Sequence, residues 1–426
     1  MIRLLHTSDW HLGQNLRDTD RTEEHRLFLE WLLAQLENAF HAGDPFHTTL
    51  VAGDVFDGPN PSAKAQELYF HFLERARHFT KVIVTAGNHD SAERLSAPAP
   101  LLGSLGIAVS GGWPSDPDMS DLYSTLQDRI IPIQGCDESA LVLAMPFLRL
   151  GDLGSFSQED AATHFIEAHR KRYQELVESA RRHPHWTSSI TKPALIAMGH
   201  AFVSGATVNE ETERRVGHQD ELPQSIFPEE LVYVALGHLH KAQKVGTTGK
   251  IRYPGSILPL GFSEANYRHQ VLDVRIAQGS IQSIEPLEIP RFRSFLIIPA
   301  RHAPWSEVEP LLRALPSLQG NDANDPLRPL LEVRIDPAGS AHGLRDRVQE
   351  ALADRWPKLF RIDLQRNEDV SQGDDNTLNR SLEEENPTQV FLDLCKRQGM
   401  AEDSMQDLLA DFQLLLDQAN EAGNTP

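Results

Sequence analysis

The chain has 426 residues, enough for two or three domains of ordinary size, and its 40% hydrophobic and 24% charged residues exclude a wholly disordered or fibrous protein. No run of about 18 apolar residues occurs, which excludes a membrane-spanning helix, and Met1 to His6 turns polar too early for a secretory signal. Forty basic against 61 acidic residues give a formal net charge of −21, which argues against a basic protein that coats nucleic acid, although 12 of the acidic residues lie in the tail from Gly373 to Pro426.

Short β-branched and apolar runs predict buried strands at Ile2 to Thr7, Thr48 to Ala52, Val82 to Ala86, Ala194 to Met198 and Leu231 to Leu236. Amphipathic stretches at Thr22 to Phe40 and Ser62 to Phe79 are long enough for crossover helices between the first three, so residues 1–290 read as a layered α/β domain. Further strands are predicted at Lys250 to Ile257, Gln270 to Ile276 and Gln282 to Ile289. Gly111 to Ser120 and Gly320 to Pro329 read as loops.

A new unit begins near Arg291, with strands at Phe295 to Pro299, Leu330 to Ile335 and Phe360 to Gln365 and helices at Trp305 to Leu315 and Ala341 to Arg355. It reads as a small α+β module over 291–366. Residues 367–385 are acidic and too poor in large apolar residues to fold alone, so they read as a linker. Asn386, Pro387 and Gln389 start a helix, and residues 386–420 carry two apolar stripes at helical spacing. Val390, Phe391 and Leu394 form the first stripe, and the second includes Leu408, Phe412 and Leu415; both need a surface to cover. The two cysteines, Cys136 and Cys395, cannot build a disulfide framework and suit a reducing cytoplasm.

Polar clusters follow the predicted strands in a fixed order: Asp9-Trp10-His11, Gly53-Asp54-Val55-Phe56-Asp57, Gly87-Asn88-His89-Asp90, Gly199-His200 and Gly237-His238-Leu239-His240. In α/β folds the crevice outside the carboxyl ends of the strands binds ligands, so five clusters at that edge converge on one site. Imidazole, carboxylate and amide oxygen together suit borderline divalent metals such as manganese, iron or zinc, and there are donors enough for two ions.

This ordered set resembles the calcineurin-like metallophosphoesterases. The longer wording, Thr7 to Gln14, Ala52 to Asp57 and Ala86 to Ser91, looks like their DNA double-strand-break repair branch of nuclease subunits. The resemblance implies a four-layer α/β core of two sheets flanked by helices, with a DNA-capping α+β domain at 291–366 and a helical tail that binds an ATPase partner. It implies that Asp9, His11, Asp54 and His240 hold one metal and that Asn88, His200 and His238 hold the other, with Asp54 bridging. Manganese is the family's favoured ion, with magnesium possible. His89 is the expected catalytic histidine, placed to stabilise or protonate the leaving oxygen, and Asp90 is expected to orient an imidazole. Where archaeal and eukaryotic relatives carry a histidine after the second cluster, this chain has Asp57, so that histidine's role does not transfer.

The implied activity is 3′ to 5′ double-strand exonuclease and single-strand or hairpin endonuclease action in DNA repair and recombination. Arg17, Arg21 and Arg94 follow metal clusters and are candidates for DNA phosphates. No Gly-x-x-x-x-Gly-Lys-Ser/Thr sequence occurs, so ATP hydrolysis by a P-loop falls to the partner. Leu68, Tyr69, Phe70, Phe72, Leu73 and Phe79 make the second helix apolar around much of its circumference, which fits burial within one chain or, as the resemblance suggests, a homodimer bundle with Glu30 to Phe40. One rival is a small-substrate phosphodiesterase or phosphatase of the same superfamily. Its phosphoprotein branch continues the second cluster as Asp-Arg-Gly and reads Gly-Asn-His-Glu, whereas Asp57-Gly58-Pro59 and Asp90 stand here. The other rival is a silent scaffold for the ATPase, whose mark would be missing ligands, and none is missing.

Overall fold

The computed structural model describes residues 1–114, 121–153, 161–207, 221–320, 322–337 and 343–365. Strand β1 (Ile2–Thr7), helix α1 (Thr22–His41), strand β2 (Thr48–Ala52), helix α2 (Ala63–Ala76) and strand β3 (Lys81–Thr85) follow one another as the periodicity predicts. β1 and β2 coincide with their predicted spans to the residue. β4 (Ala108–Ser110) extends the parallel run.

Residues 121–193, to which the sequence reading assigns no elements, supply β5 (Ile130–Gln134), β6 (Ser139–Ala144) and the 22-residue helix α3 (Ala161–Arg182). There follow β7 (Ala194–His200), β8 (Leu231–Gly237), β9 (Gln243–Val245), β10 (Ile251–Tyr253), β11 (Gln270–Ala277) and β12 (Ser280–Glu288). The strand expected over Lys250 to Ile257 is therefore shorter, because Gly255 turns the chain with φ of 87°.

Two six-stranded sheets result, ordered β12-β11-β1-β2-β3-β4 and β9-β10-β8-β7-β6-β5. Alternation along each strand fills three layers. Ile2, Leu4, Leu50 and Ile83 from the first sheet meet Val142, Ile196, Met198 and Tyr233 from the second in a dry central layer. Leu5, Val51, Val82 and Val84 point the other way, onto α1 and α2 through Phe28, Leu32, Phe72 and Leu73. Leu195, Ala197 and Leu236 cover the outer face of the second sheet, packed with Tyr173, Leu176 and Ala180 of α3. This is the expected arrangement of helix, sheet, sheet and helix.

In β1, β2 and β3 the neighbouring strands run parallel, as do β6, β7 and β8, so the carboxyl ends of each trio lie at one edge. Those two edges meet. The ring of His200 reaches across from the end of β7 to the carbonyl of Ala52 at the end of β2, with Nδ1 3.0 Å from the oxygen.

A three-stranded parallel sheet follows, ordered β13 (Phe295–Pro304), β14 (Leu330–Asp336) and β15 (Lys358–Leu364). Helices α4 (Trp305–Arg313) and α5 (Leu344–Leu352) pack on one face through Val308, Leu312, Val333 and Val348. The other face sets Leu330, Phe295 and Phe360 against Leu16 and Phe262. On the long helices, Tyr69, Phe72 and Leu73 are buried, while Phe40 and Phe70 remain 46% and 39% exposed. Among the described residues no helix is long and apolar enough to cross a membrane.

Candidate metal centre

The loops after β1 and β2 are laced together by backbone bonds: Asp9 N–H donates to the Gly53 carbonyl at 3.1 Å, His11 N–H to that of Asp54 at 3.0 Å and Leu12 N–H to that of Val55 at 3.0 Å. This pairing aims side chains from both loops at one point, and it bends the chain to do so. Asp9, His11, Asp54 and His238 all have positive φ, at 51°, 45°, 49° and 106°, a region that L residues with side chains avoid. Strain held on four chemically committed residues is the mark of a functional site. Gly87 and Gly237 let the loops close up. A methyl at Gly87 would overlap the Asp54 side chain, and one at Gly237 would overlap the Ala52 carbonyl.

The structure brings Asp9, His11, Asp54, Asn88, His200, His238 and His240 together. Asp54 stands in the middle, with Oδ2 3.6 Å from His11 Nε2 and 3.2 Å from His200 Nε2, while Oδ1 accepts from the His89 N–H at 2.9 Å. On one side, Asp9, His11 and His240 offer donor atoms within 4.8 Å of one another, as do Asp9, Asp54 and His200. On the other, Asn88 Oδ1 lies 2.9 Å from His200 Nε2 and 3.0 Å from His238 Nδ1. Asp9 accepts from the His238 N–H at 2.9 Å, which ties the two sides together.

The donor set fits divalent cations. Both ring nitrogens of the buried His11 lack a hydrogen bond, although they face the carboxylates of Asp54 and of Asp57, the latter at 3.3 Å. The buried Nε2 faces the Asp54 carboxylate at 3.6 Å without bonding it, which leaves a place for an ion between them, and mixed nitrogen and oxygen donors suit borderline metals.

The groups also compensate one another electrostatically. Burial works against the charge on Asp54, yet the imidazoles of His200 and His11 outweigh it and hold this carboxyl well below its ordinary range. Burial likewise opposes the His200 imidazolium, but the charge and hydrogen bond of Asp54 prevail and hold its pKa at about 9. His238, desolvated and beside His200, is pushed down to about 3.

His89 lies at the rim, half-buried, with Nδ1 2.9 Å from the Asp57 carbonyl and its ring 4.8 Å from that of His11. It opens onto a groove of about 880 Å³ that Asp57, Asn88, Trp113, Arg149 and Asp152 help to line. Arg149 brings a cation to this acidic groove. Its Nη2 donates to the Asp90 carbonyl at 2.6 Å, and its N–H to Asp152 at 2.8 Å.

Two expectations change. Asp90 does not orient an imidazole: its buried carboxylate accepts from the N–H groups of Gly87, Phe56 and Val55, at 2.8, 2.9 and 3.1 Å, and so locks the third loop onto the second. Burial and the charge of Asp54 push its pKa up, and those three donors pull it back. Arg21 cannot meet a phosphate, because it is fully buried with its guanidinium on Glu24, Gln14 and the Pro259 carbonyl. Arg17 is exposed but lies over the Phe360 ring at 4.8 Å, whereas Arg94 is exposed on the one-turn helix Ala92–Ser96. Val390, Phe391, Leu394, Leu408, Phe412 and Leu415 lie outside the described residues. Sequence reasoning missed Arg149 and Glu264, which carry no motif; Glu264 Oε1 lies 2.9 Å from His240 Nδ1.

Histidines and carboxylates at the meeting edge of two sheets define the class, and the calcineurin-like phosphoesterase family matches residues 2–242, the stretch that holds every donor named above. The type 5 capsule protein repressor C-terminal domain matches residues 291–399. The SbcD subunit of nuclease SbcCD from Rhodobacter capsulatus is 38% identical over 323 residues, covering 72% of this chain and 74% of that protein. The Escherichia coli K12 protein of that name is 32% identical over 295 residues, 68% of each chain, and the Bacillus subtilis one 30% identical over 287, covering 65% and 67%. The chain belongs to the SbcD family of calcineurin-like phosphoesterases.

Proposed function

We propose that the chain is a metal-dependent DNA nuclease, cutting duplex ends as a 3′ to 5′ exonuclease and single strands or hairpins as an endonuclease, in DNA repair and recombination. The convergence of six donors around Asp54, with His89 at the mouth of a groove, carries this reading. Asp9, His11, Asp54 and His240 would hold one divalent cation and Asn88, His200 and His238 the other, shared through Asp54. The mixed donors admit manganese, the ion the family resemblance points to, with magnesium the alternative. Such a pair of ions supplies Lewis-acid polarisation of the phosphodiester and a water nucleophile at neutral pH. His89 gives or shares a proton at the leaving oxygen, held there through its Nδ1 contact with the Asp57 carbonyl. Arg149 and Arg94 are the cations placed to meet the strand.

The partner is the ATPase SbcC, two copies of each chain forming the assembly, with ATP used by SbcC alone and the complex working in the cytoplasm. Residues 1–290 form the nuclease domain, 291–366 the DNA-capping domain, 367–385 a linker and 386–420 the helices that grip SbcC. The separate apolar core of the small sheet and the second family match starting at 291 support that division. The exposed Phe40 and Phe70 support a homodimer through α1 and α2.

The test is nucleotide release from a labelled blunt duplex by the protein with SbcC and ATP, comparing manganese, magnesium and chelator, with His89→Ala alongside. Release that needs manganese and is lost in the variant is the expected result. No release under any metal, with metal still bound, would sink the nuclease reading.

A further inference from the structure

His240 sits apart from the other donors in one respect: a buried carboxylate backs it. Its Nδ1 lies 2.9 Å from Glu264 Oε1, and the Glu264 side chain is fully buried. The other oxygen, Oε2, accepts from the Leu260 N–H at 2.8 Å and lies 3.5 Å from Ser256 Oγ. The same segment returns to His240 through the backbone, because the Ser256 N–H donates to the His240 carbonyl at 3.0 Å. Ring and main chain of His240 are therefore both held by residues 256–264.

A carboxylate taken out of water is costly unless donors surround it, and an amide of the same shape would be cheaper to bury. Glutamine would also turn N–H toward one of the two donors that now meet oxygen, so the position calls for two acceptors. On an imidazole whose opposite nitrogen binds metal, an acceptor at Nδ1 fixes the tautomer, and a charged one raises the basicity of Nε2.

We infer that Glu264 is a positioning residue of the metal centre: it accepts a hydrogen bond from His240 Nδ1–H and so leaves Nε2 for the cation that His240 shares with Asp9 and His11. This rests on the metal-dependent reading of the site and adds a residue 24 positions beyond the last donor cluster. The same short stretch carries Phe262, which stacks on Phe360 at 4.9 Å and meets Phe295 at 5.0 Å, so it also seats the small sheet.

The experiment titrates manganese into the full chain, wild type against Glu264→Gln and Glu264→Ala, by calorimetry, and follows thermal unfolding of the metal-free proteins. One of two sites should weaken about 10- to 100-fold in the variants while the other holds, and turnover should recover at saturating manganese, unlike that of His89→Ala. Unchanged affinity at both sites in a folded variant overturns the inference, even where the metal-free protein melts earlier, since a merely structural role would do only that. Should neither variant fold, the 15N shifts of the His240 ring in the wild type decide: Nδ1–H supports the inference and Nε2–H defeats it. A wild-type chain that binds no manganese would instead count against the proposed function.

Discussion

The dry layer between the two sheets and the strand ends a few residues away are built from the same strands on opposite principles. Within the layer, Leu4, Leu50, Ile83 and Val142 are fully buried on regularly paired strands. At the edge, the same strands run into Asp9 and Asp54, equally hidden from water, and into the half-buried His238, all three polar or charged and bent to positive φ. The lesson is that the layer supplies the stability that the edge uses, and a substitution shows which side it touches by what it changes.

The largest effect belongs to the edge. Asp54→Ala should lose metal from both groups of donors and abolish turnover, while His89→Ala abolishes turnover with metal largely retained; elemental analysis of both proteins checks this, and equal metal loss would refute separate roles. In the layer, Leu4→Ala leaves a cavity between the sheets and should destabilise by about 2–5 kcal/mol with little change in metal affinity, as read by urea unfolding. Metal loss in that variant at full folding would erase the distinction.

Acid probes the layer more gently. His6 bonds Tyr233 at 2.9 Å, and burial lowers its pKa to about 3, while on α3, outside the layer, burial lowers that of His169 to about 4. The folded state keeps these rings neutral, and the unfolded chain protonates them near 6.5. Stability is therefore full above that value and falls as pH drops toward 4, by about 1.4 kcal/mol per pH unit for each ring. Unfolding free energies between pH 7 and 4.5 should slope accordingly, and less steeply in His169→Gln. The smallest effect inverts the usual sign: His238→Gly relaxes a φ of 106° and should stabilise the metal-free protein by about 1 kcal/mol while weakening metal binding. A lower melting temperature for that variant would show that the bend is not strained.

Much of this was legible beforehand where one physical signal dominates. Ile2–Thr7 and Thr48–Ala52 are short β-branched runs stopped by polar clusters, and the structure ends both strands there. Ile130–Gln134 escaped because Pro132 interrupts it, which the edge position of that strand in its sheet tolerates. Helix Ala161–Arg182 escaped because its charged residues mask the buried stripe of Tyr173, Leu176, Val177 and Ala180. At the site, motif residues were legible because each closes a strand. Glu264 lies in a run with no pattern, and its acceptors meet a ring from another loop. Arg21 misled for the opposite reason: charge reads as exposure, yet Glu24 and Arg293 accompany it into the interior.

The donors are scattered from Asp9 to His240, and β8 must be in place before His238 and His240 can reach the others. A nascent chain short of Leu231–Gly237 lacks two of the seven donors, one from each group. Loop pairings this distant in sequence form late in folding, so the site is complete only when the second sheet has closed on the first, and uptake of a divalent metal doubles as a readout of completed folding.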